Sequence, residues 1–159
     1  MNPVPLVERY LAWPRCCGII QDMIEDYASA ASRHLRDARY LHEGERWDNA
    51  AYLAGYVAEC AVKAVINQAG RAPQVHLREL TPPLLLLAAD LGAAARRYRI
   101  DLDPDLHALR LAWSTDLRYA RTDTCDEFGA TQMLAQAGRV YQRTIQAMVL
   151  DGLYAQVLR

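Results

Sequence analysis

Apolar residues recur at three- and four-residue spacing along most of this 159-residue chain, and strict apolar-polar alternation is nearly absent. Ile24, Tyr27, Ala31, Leu35, Ala38 and Leu41 predict a first helix from about Asp22 to His42, with Gly44 suited to its C-terminal cap. A second helix is predicted from about Asp48, as N-cap, to Gln68. Its seam is Leu53, Val57, Ala61 and Val65, and it is apolar almost all round, which marks it as the most buried helix. Gln74 to Leu80 reads as a connector, after which Thr81 as N-cap and Pro82 in the first turn open a third helix to about Tyr98. Asp101, Asp103 and Pro104 break the chain before a fourth helix from about Asp105 to Ala120, which buries Leu106, Leu109, Trp113, Leu117 and Ala120. A polar link from Arg121 to Gly129 leads to a fifth from about Thr131 to Leu150, with Leu134, Ala137, Tyr141, Ile145 and Met148 on its inner face. Pro3, Pro5 and Pro14 leave residues 1–20 as an arm with one short helical turn at Val7 to Trp13. Short links between long helices predict an all-α fold, an antiparallel four- to five-helix up-and-down bundle formed by residues 21–159 as one domain.

Composition agrees with a packed globule, at 52% hydrophobic and 23% charged residues. The formal net charge of −1 provides no global field for nucleic acid or anionic lipid, so any such surface has to be a local patch. The bases are 17 Arg and a single Lys, Lys63. A GC-rich genome accounts for that bias, yet each Arg still offers a planar fork that grips phosphate with two parallel hydrogen bonds. Cys16, Cys17, Cys60 and Cys125 show neither a zinc spacing nor a disulfide framework, which suits reduced thiols in a cytoplasmic protein. Glu8, Arg9 and Arg15 interrupt the first twenty residues, so no signal peptide is read there. The longest strongly apolar run, Leu84 to Ala89, is far short of the roughly 20 residues a membrane span requires.

Motifs of familiar enzymes are missing: the sequence has no phosphate-binding glycine loop, no paired Cys motif and no nucleophile elbow. His34 and His42 are separated by about 12 Å along their helix, too far to share a metal, and His76 with Glu79 reads as a cap, so neither a metal nor a cofactor is expected. Two polar constellations remain. Tyr52, Tyr56, Glu59 and Lys63 fall on one face of the second helix, either as the amphipathic edge of a buried helix or as the wall of a polar pocket. Arg110, Ser114, Arg118 and Arg121, at offsets 0, 4, 8 and 11, fall in one stripe of the fourth helix, where they would either grip phosphates or pair with acids of a neighbouring helix.

The stretch His34-Leu35-Arg36-Asp37-Ala38, then Arg46-Trp47-Asp48-Asn49-Ala50-Ala51-Tyr52 through Glu59-Cys60-Ala61-Val62-Lys63-Ala64, followed by Trp113 and Arg118-Tyr119, resembles a prokaryotic HEPN domain over about residues 22–150. The resemblance implies a helical bundle that commonly dimerises. It also implies either a metal-independent RNA-cleaving toxin or a non-catalytic module binding RNA or a nucleotide, often alongside a nucleotidyltransferase in a toxin-antitoxin or defence system. The ribonuclease members use an Arg and a His four to six residues apart near the start of a late helix, the Arg holding phosphate and the His moving a proton. Here Arg118 is followed by Tyr-Ala-Arg-Thr-Asp-Thr-Cys and no His lies downstream. The spacing recurs only as Arg36 to His42 and Arg71 to His76, neither on that helix. The reading is therefore a non-catalytic, dimeric, HEPN-like binder of RNA or a nucleotide. Arg110, Ser114, Arg118 and Arg121 form its binding stripe, Tyr119 stacks, and Tyr56, Glu59 and Lys63 line an inter-helix pocket. The alternatives are a ribonuclease toxin using a displaced His42 or His76, and an adaptor for a nucleotidyltransferase or another partner that covers Tyr10 and Trp13 of the arm.

Overall fold

A computed structural model describes residues 25–68, 75–80, 95–98 and 100–154. The arm at 1–20 and the body of the expected third helix, 81–94, lie outside the described residues. Among the described residues the elements are all helical. They comprise α1 (Tyr27–Glu43), α2 (Trp47–Gln68), short 3-10 turns at Leu77–Glu79 and Ala95–Tyr98, α3 (Pro104–Ala112), a 3-10 helix at Thr115–Tyr119, α4 (Glu127–Tyr141), a π-helical turn at Gln142–Gln146, and α5 (Ala147–Leu150).

Local chemistry sets the helix bounds. Asp26 caps α1, its side chain accepting from the Ser29 N–H at 2.9 Å, and Asp22, near which the helix was expected to start, lies outside the described residues. The α1 C-terminus closes at Gly44 as expected, with the Arg46 N–H donating to Leu41 O at 2.9 Å and the Glu45 N–H to His42 O at 3.1 Å. Glu45, one residue further on, takes the left-handed conformation at φ 57°, where glycine is the usual occupant. Pro104 and the Asp103 cap start α3. The expectation that this helix continues to Ala120 fails at Trp113, whose N–H still donates to Leu109 O at 2.8 Å but whose backbone turns extended. Ser114 then caps a new 3-10 turn, its hydroxyl accepting from the Asp116 N–H at 3.0 Å. Ser-Thr-Asp is an N-cap signal that apolar periodicity alone overrides in a sequence reading. The last long helix also starts earlier than Thr131: Asp126 caps α4 through the Gly129 N–H at 2.8 Å. Its π-helical turn accompanies a buried Thr144, whose hydroxyl donates back to Val140 O at 2.7 Å.

The core is built on α2. Its buried positions run almost all round the helix, from Ala50 to Ile66, and Ala51, Ala54, Ala58, Ala61 and Ala64 let α1 and α4 approach closely. Cross-contacts fix the directions. Tyr27 faces Lys63, His34 faces Tyr56 and His42 faces Trp47, so α1 and α2 are antiparallel. His42 meets Thr131 at 2.7 Å and Ser32 meets Tyr141 at 2.7 Å, so α4 also runs antiparallel to α1. Asp103 and Asp105 at the start of α3 are clamped by Arg143 and Arg139, with N–O distances of 2.6 and 2.7 Å. The arrangement is the antiparallel up-and-down bundle expected of the sequence. Trp113, 1% exposed, seals its inner end, donating from Nε1 to Tyr52 O at 2.9 Å and lying directly against Gly55, where a Cβ would overlap the indole.

Candidate functional site

The first turn of α2, the Thr115–Tyr119 turn and the segment leading to α4 enclose a cleft of about 300 Å³. Trp47, Asp48, Asn49 and Tyr52 supply one wall; Leu117, Arg118, Ala120 and Arg121 supply the other; Glu45 and Arg46 stand at its edge. The second wall is held by Asp48, whose Oδ2 accepts from the Asp123 N–H and whose Oδ1 accepts from the Cys125 N–H, each at 2.7 Å. Asp48 was expected to cap α2; it sits inside the first turn and binds a loop distant in sequence instead. Asp123 is left-handed at φ 64°, and the Thr124 hydroxyl donates to Arg121 O at 2.5 Å, which tightens the loop further.

Arg46, Arg118 and Arg121 are among the residues that line this cleft. Arg118 donates from Nε to Thr115 O at 3.0 Å and lies 5.1 Å over the Tyr119 ring, a pose that fixes its fork. None of the three is held in an ion pair among the described residues. Glu45, Asp48 and Asp123 line the same cleft, so it is not a broadly positive basin and its cations act at short range. An aromatic wall continues inward from Tyr52. The Tyr52 and Tyr56 hydroxyls are 3.1 Å apart, and Tyr56 packs edge-on to Trp113 with ring centroids 5.0 Å apart. Burial, then the Tyr52 hydrogen bond, pushes the Tyr56 hydroxyl up to about 12, opposed by the positive charge of Arg118.

The expected site residues separate. Arg118 and Arg121 meet in the cleft, but not as members of a helical stripe, because the helix ends between Arg110 and Arg118. Arg110 is turned away, donating to Arg78 O at 3.2 Å, while Arg78 donates to Trp113 O at 3.2 Å. Ser114 is consumed as a cap. Tyr119 is 78% exposed outside the cleft lining and carries Arg118 on its face. Glu59 and Lys63 are not among the residues lining this cleft: Glu59 is 3% exposed, 3.1 Å from the Lys63 Nζ, and accepts from the Leu77 N–H at 3.1 Å, with His76 Nδ1 at 3.4 Å. That cluster pins the 75–80 connector onto α2. Arg46 and Trp47 belong to the site and were not singled out for it, since nothing local in the sequence shows that a loop 70 residues later folds against them.

The histidines stand elsewhere. His42 is bound to Thr131 and set edge-on to Trp47, with ring centroids 4.9 Å apart, which places it behind the cleft wall. His34 is half-buried and its pKa is lowered by burial. Among the described residues no histidine lines the cleft, no group of three or more His, Cys, Asp or Glu is placed to hold a metal ion, and no helix is long and apolar enough to cross a membrane. Burial also pushes the Cys60 thiol up to about 11 and raises that of Cys125, so neither is an activated nucleophile.

No curated protein and no solved structure matches the chain. The sequence model of the HEPN domain does, over residues 24–145, which takes in α1, α2, α3, α4 and the whole of the cleft. With the helical bundle and that match over most of its length, the chain belongs to the HEPN domain family.

Proposed function

We propose that this chain is a non-catalytic HEPN domain that binds a nucleotide or RNA through the cleft between α2 and the Thr115–Tyr119 turn. The observation that carries the reading is the convergence of Arg46, Arg118 and Arg121 on one opening that Trp47 and Tyr52 also line. Guanidinium forks suit phosphate oxygens, and the aromatic rings suit a base. A cleft of about 300 Å³ admits a group of nucleotide size. The acids beside the Arg residues favour a ligand with hydroxyl or amine donors as well as phosphate, which a nucleotide has.

The non-catalytic part rests on the histidines. Thr122, Asp123, Thr124 and Cys125 occupy the segment after Arg118, and His42 and His76 are committed to Thr131 and Glu59 outside the cleft. A homodimer and a nucleotidyltransferase partner in a toxin-antitoxin or defence pair remain part of this proposal, on family membership alone. Fluorescence anisotropy with labelled nucleotides and RNA tests the binding reading. Arg118→Ala with Arg121→Ala should weaken binding at least tenfold and flatten its salt dependence. Unchanged affinity in that variant contradicts it, and metal-free RNA cleavage abolished by His42→Ala or His76→Ala contradicts the non-catalytic part.

A further inference from the structure

Helix α4 carries two seams at alternating spacings of three and four residues. The inner one, Ala130, Met133, Ala137 and Val140, is buried against the bundle. The outer one, about a third of a turn round the helix, is Phe128, Thr131, Ala135, Gly138 and, just past the helix end, Gln142. Helix α1 borders this outer seam on one side only, His42 meeting Thr131 at 2.7 Å. Between the two helices runs an open groove of about 310 Å³, which Arg39, Leu134, Ala135, Gly138 and Arg139 also line.

The seam has a knob at one end and a hole near the other. Phe128, the single Phe of the chain, is 70% exposed on the first turn; it does not line the groove but stands one turn before Thr131 on the same face. Gly138 lies inside the helix, where Ala is the better helix former, and a Cβ added there would meet nothing within 4 Å. No packing among the described residues therefore requires a glycine at 138. Knob and hole are about 15 Å apart along the helix axis. Charge is divided in the same way: the exposed Asp126 and Glu127 adjoin Phe128, whereas Arg39 and Arg139 line the groove over Gly138. Arg139 already holds Asp105, but Arg39 has no ion-pair partner among the described residues.

From this self-complementarity we infer that the outer seam of α4 docks a second copy of the chain, the two α4 helices running antiparallel about a two-fold axis with Phe128 of each copy in the groove over Gly138 of the other. Antiparallel order also sets Thr131 opposite Ala135, small residues that let the helices close up, and lays the acidic end of one seam over the basic end of its mate. Parallel order would set Phe128 against Phe128 and Gly138 against Gly138, leaving each groove empty and bringing like charges together. Four turns of one helix bury less than the about 800 Å² per partner of a standard interface, so the dimer should dissociate in the micromolar range. The inference names the face of the homodimer in the proposed function and rests on that dimer; it is independent of what the cleft binds.

Sedimentation velocity of the full chain, from about 1 to 200 μM, should show a reversible equilibrium between monomer and dimer. Phe128→Glu alters an exposed side chain and should weaken the dimer by about tenfold or more. Gly138→Ala should weaken it as well, yet raise the urea midpoint of the monomer, because the added methyl favours the helix while it fills the hole. A position that served only the fold of one chain would not move the two readings in opposite directions. Glu127→Arg and Arg39→Glu should each weaken the dimer, and together they should return it to within about threefold of the wild type. A dimer unchanged by Phe128→Glu or by Gly138→Ala overturns this face and leaves the homodimer standing. A chain that stays monomeric over the whole range overturns the face and the homodimer together. A charge-swapped double variant no tighter than either single one overturns the antiparallel order.

Discussion

The carboxylate of Asp48 and the backbone N–H of Cys125 meet at 2.7 Å, joining the first turn of α2 to a loop 77 residues away, and the second carboxylate oxygen repeats the contact with Asp123. Backbone donors paired to a charged acceptor form strong hydrogen bonds, and these two decide where the loop carrying Arg121 lies. Asp48→Ala leaves both N–H groups without this acceptor and should cost about 1–3 kcal/mol in urea unfolding. It should also speed hydrogen exchange across residues 121–125 and weaken nucleotide binding. A variant with unaltered exchange there would show that Asp48 is not what holds the loop.

Gly55 faces the Trp113 indole so closely that no Cβ can be added without moving the ring. Gly55→Ala should therefore destabilise despite the better helix propensity of Ala, by about 2–4 kcal/mol, as overpacking and displacement of a fully buried Trp together require. The check is chemical denaturation with Trp emission, which should shift to the red. Because Trp113 also ends α3, the Thr115–Tyr119 turn should loosen with it.

How far the sequence was legible follows from the range of each interaction. The bundle and the burial of α2 were readable because periodicity and apolar content are local properties, repeated over many turns. The end of α3 was not, because Leu106, Leu109, Trp113 and Leu117 keep helical spacing across a break that Ser114 makes with one hydroxyl. Arg118 and Arg121 were identified on the premise of a continuous helical face that the chain does not form; the loop brings them together by another route. Arg110 satisfied the same periodic argument and ends on the Arg78 carbonyl. Glu59 and Lys63 were recognisable as a pair at i and i+4, but whether they faced a pocket or packed as a helix edge depended on the connector, since His76 and Leu77 complete the cluster from outside α2.

That cluster gives a double-mutant prediction. Lys63→Met alone leaves the Glu59 carboxylate buried with less compensation and should cost about 3 kcal/mol, whereas Glu59→Leu with Lys63→Met, which removes both charges at similar volume, should cost less than the single change. Thermal or urea unfolding of the two variants decides it. If the double variant is the less stable one, the hydrogen bond from Leu77 N–H outweighs the ion pair.

The acid side of the stability profile should be shaped by Asp105. Its hydrogen bond from Arg139, followed by that from Arg143, holds its carboxyl at about 2, below the ordinary carboxylate value near 3.8. The folded state therefore binds this proton less readily than the unfolded chain. The stabilisation is fully present above about pH 4 and is lost as pH falls toward 2. Asp105→Asn should flatten the stability profile in that window and leave its slope near neutrality unchanged. Urea midpoints collected from pH 2 to 7 would show this, and an unaltered acid limb would assign the loss to other carboxylates.

Hydrogen-exchange mass spectrometry of the full chain with and without a saturating nucleotide locates the ligand without presuming which side chains hold it. Protection concentrated in residues 45–52 and 115–125, the two walls of the cleft, is the predicted result. Protection elsewhere with both walls unchanged, or binding that protects nothing, would contradict the assignment of Arg46, Arg118 and Arg121 as the binding groups.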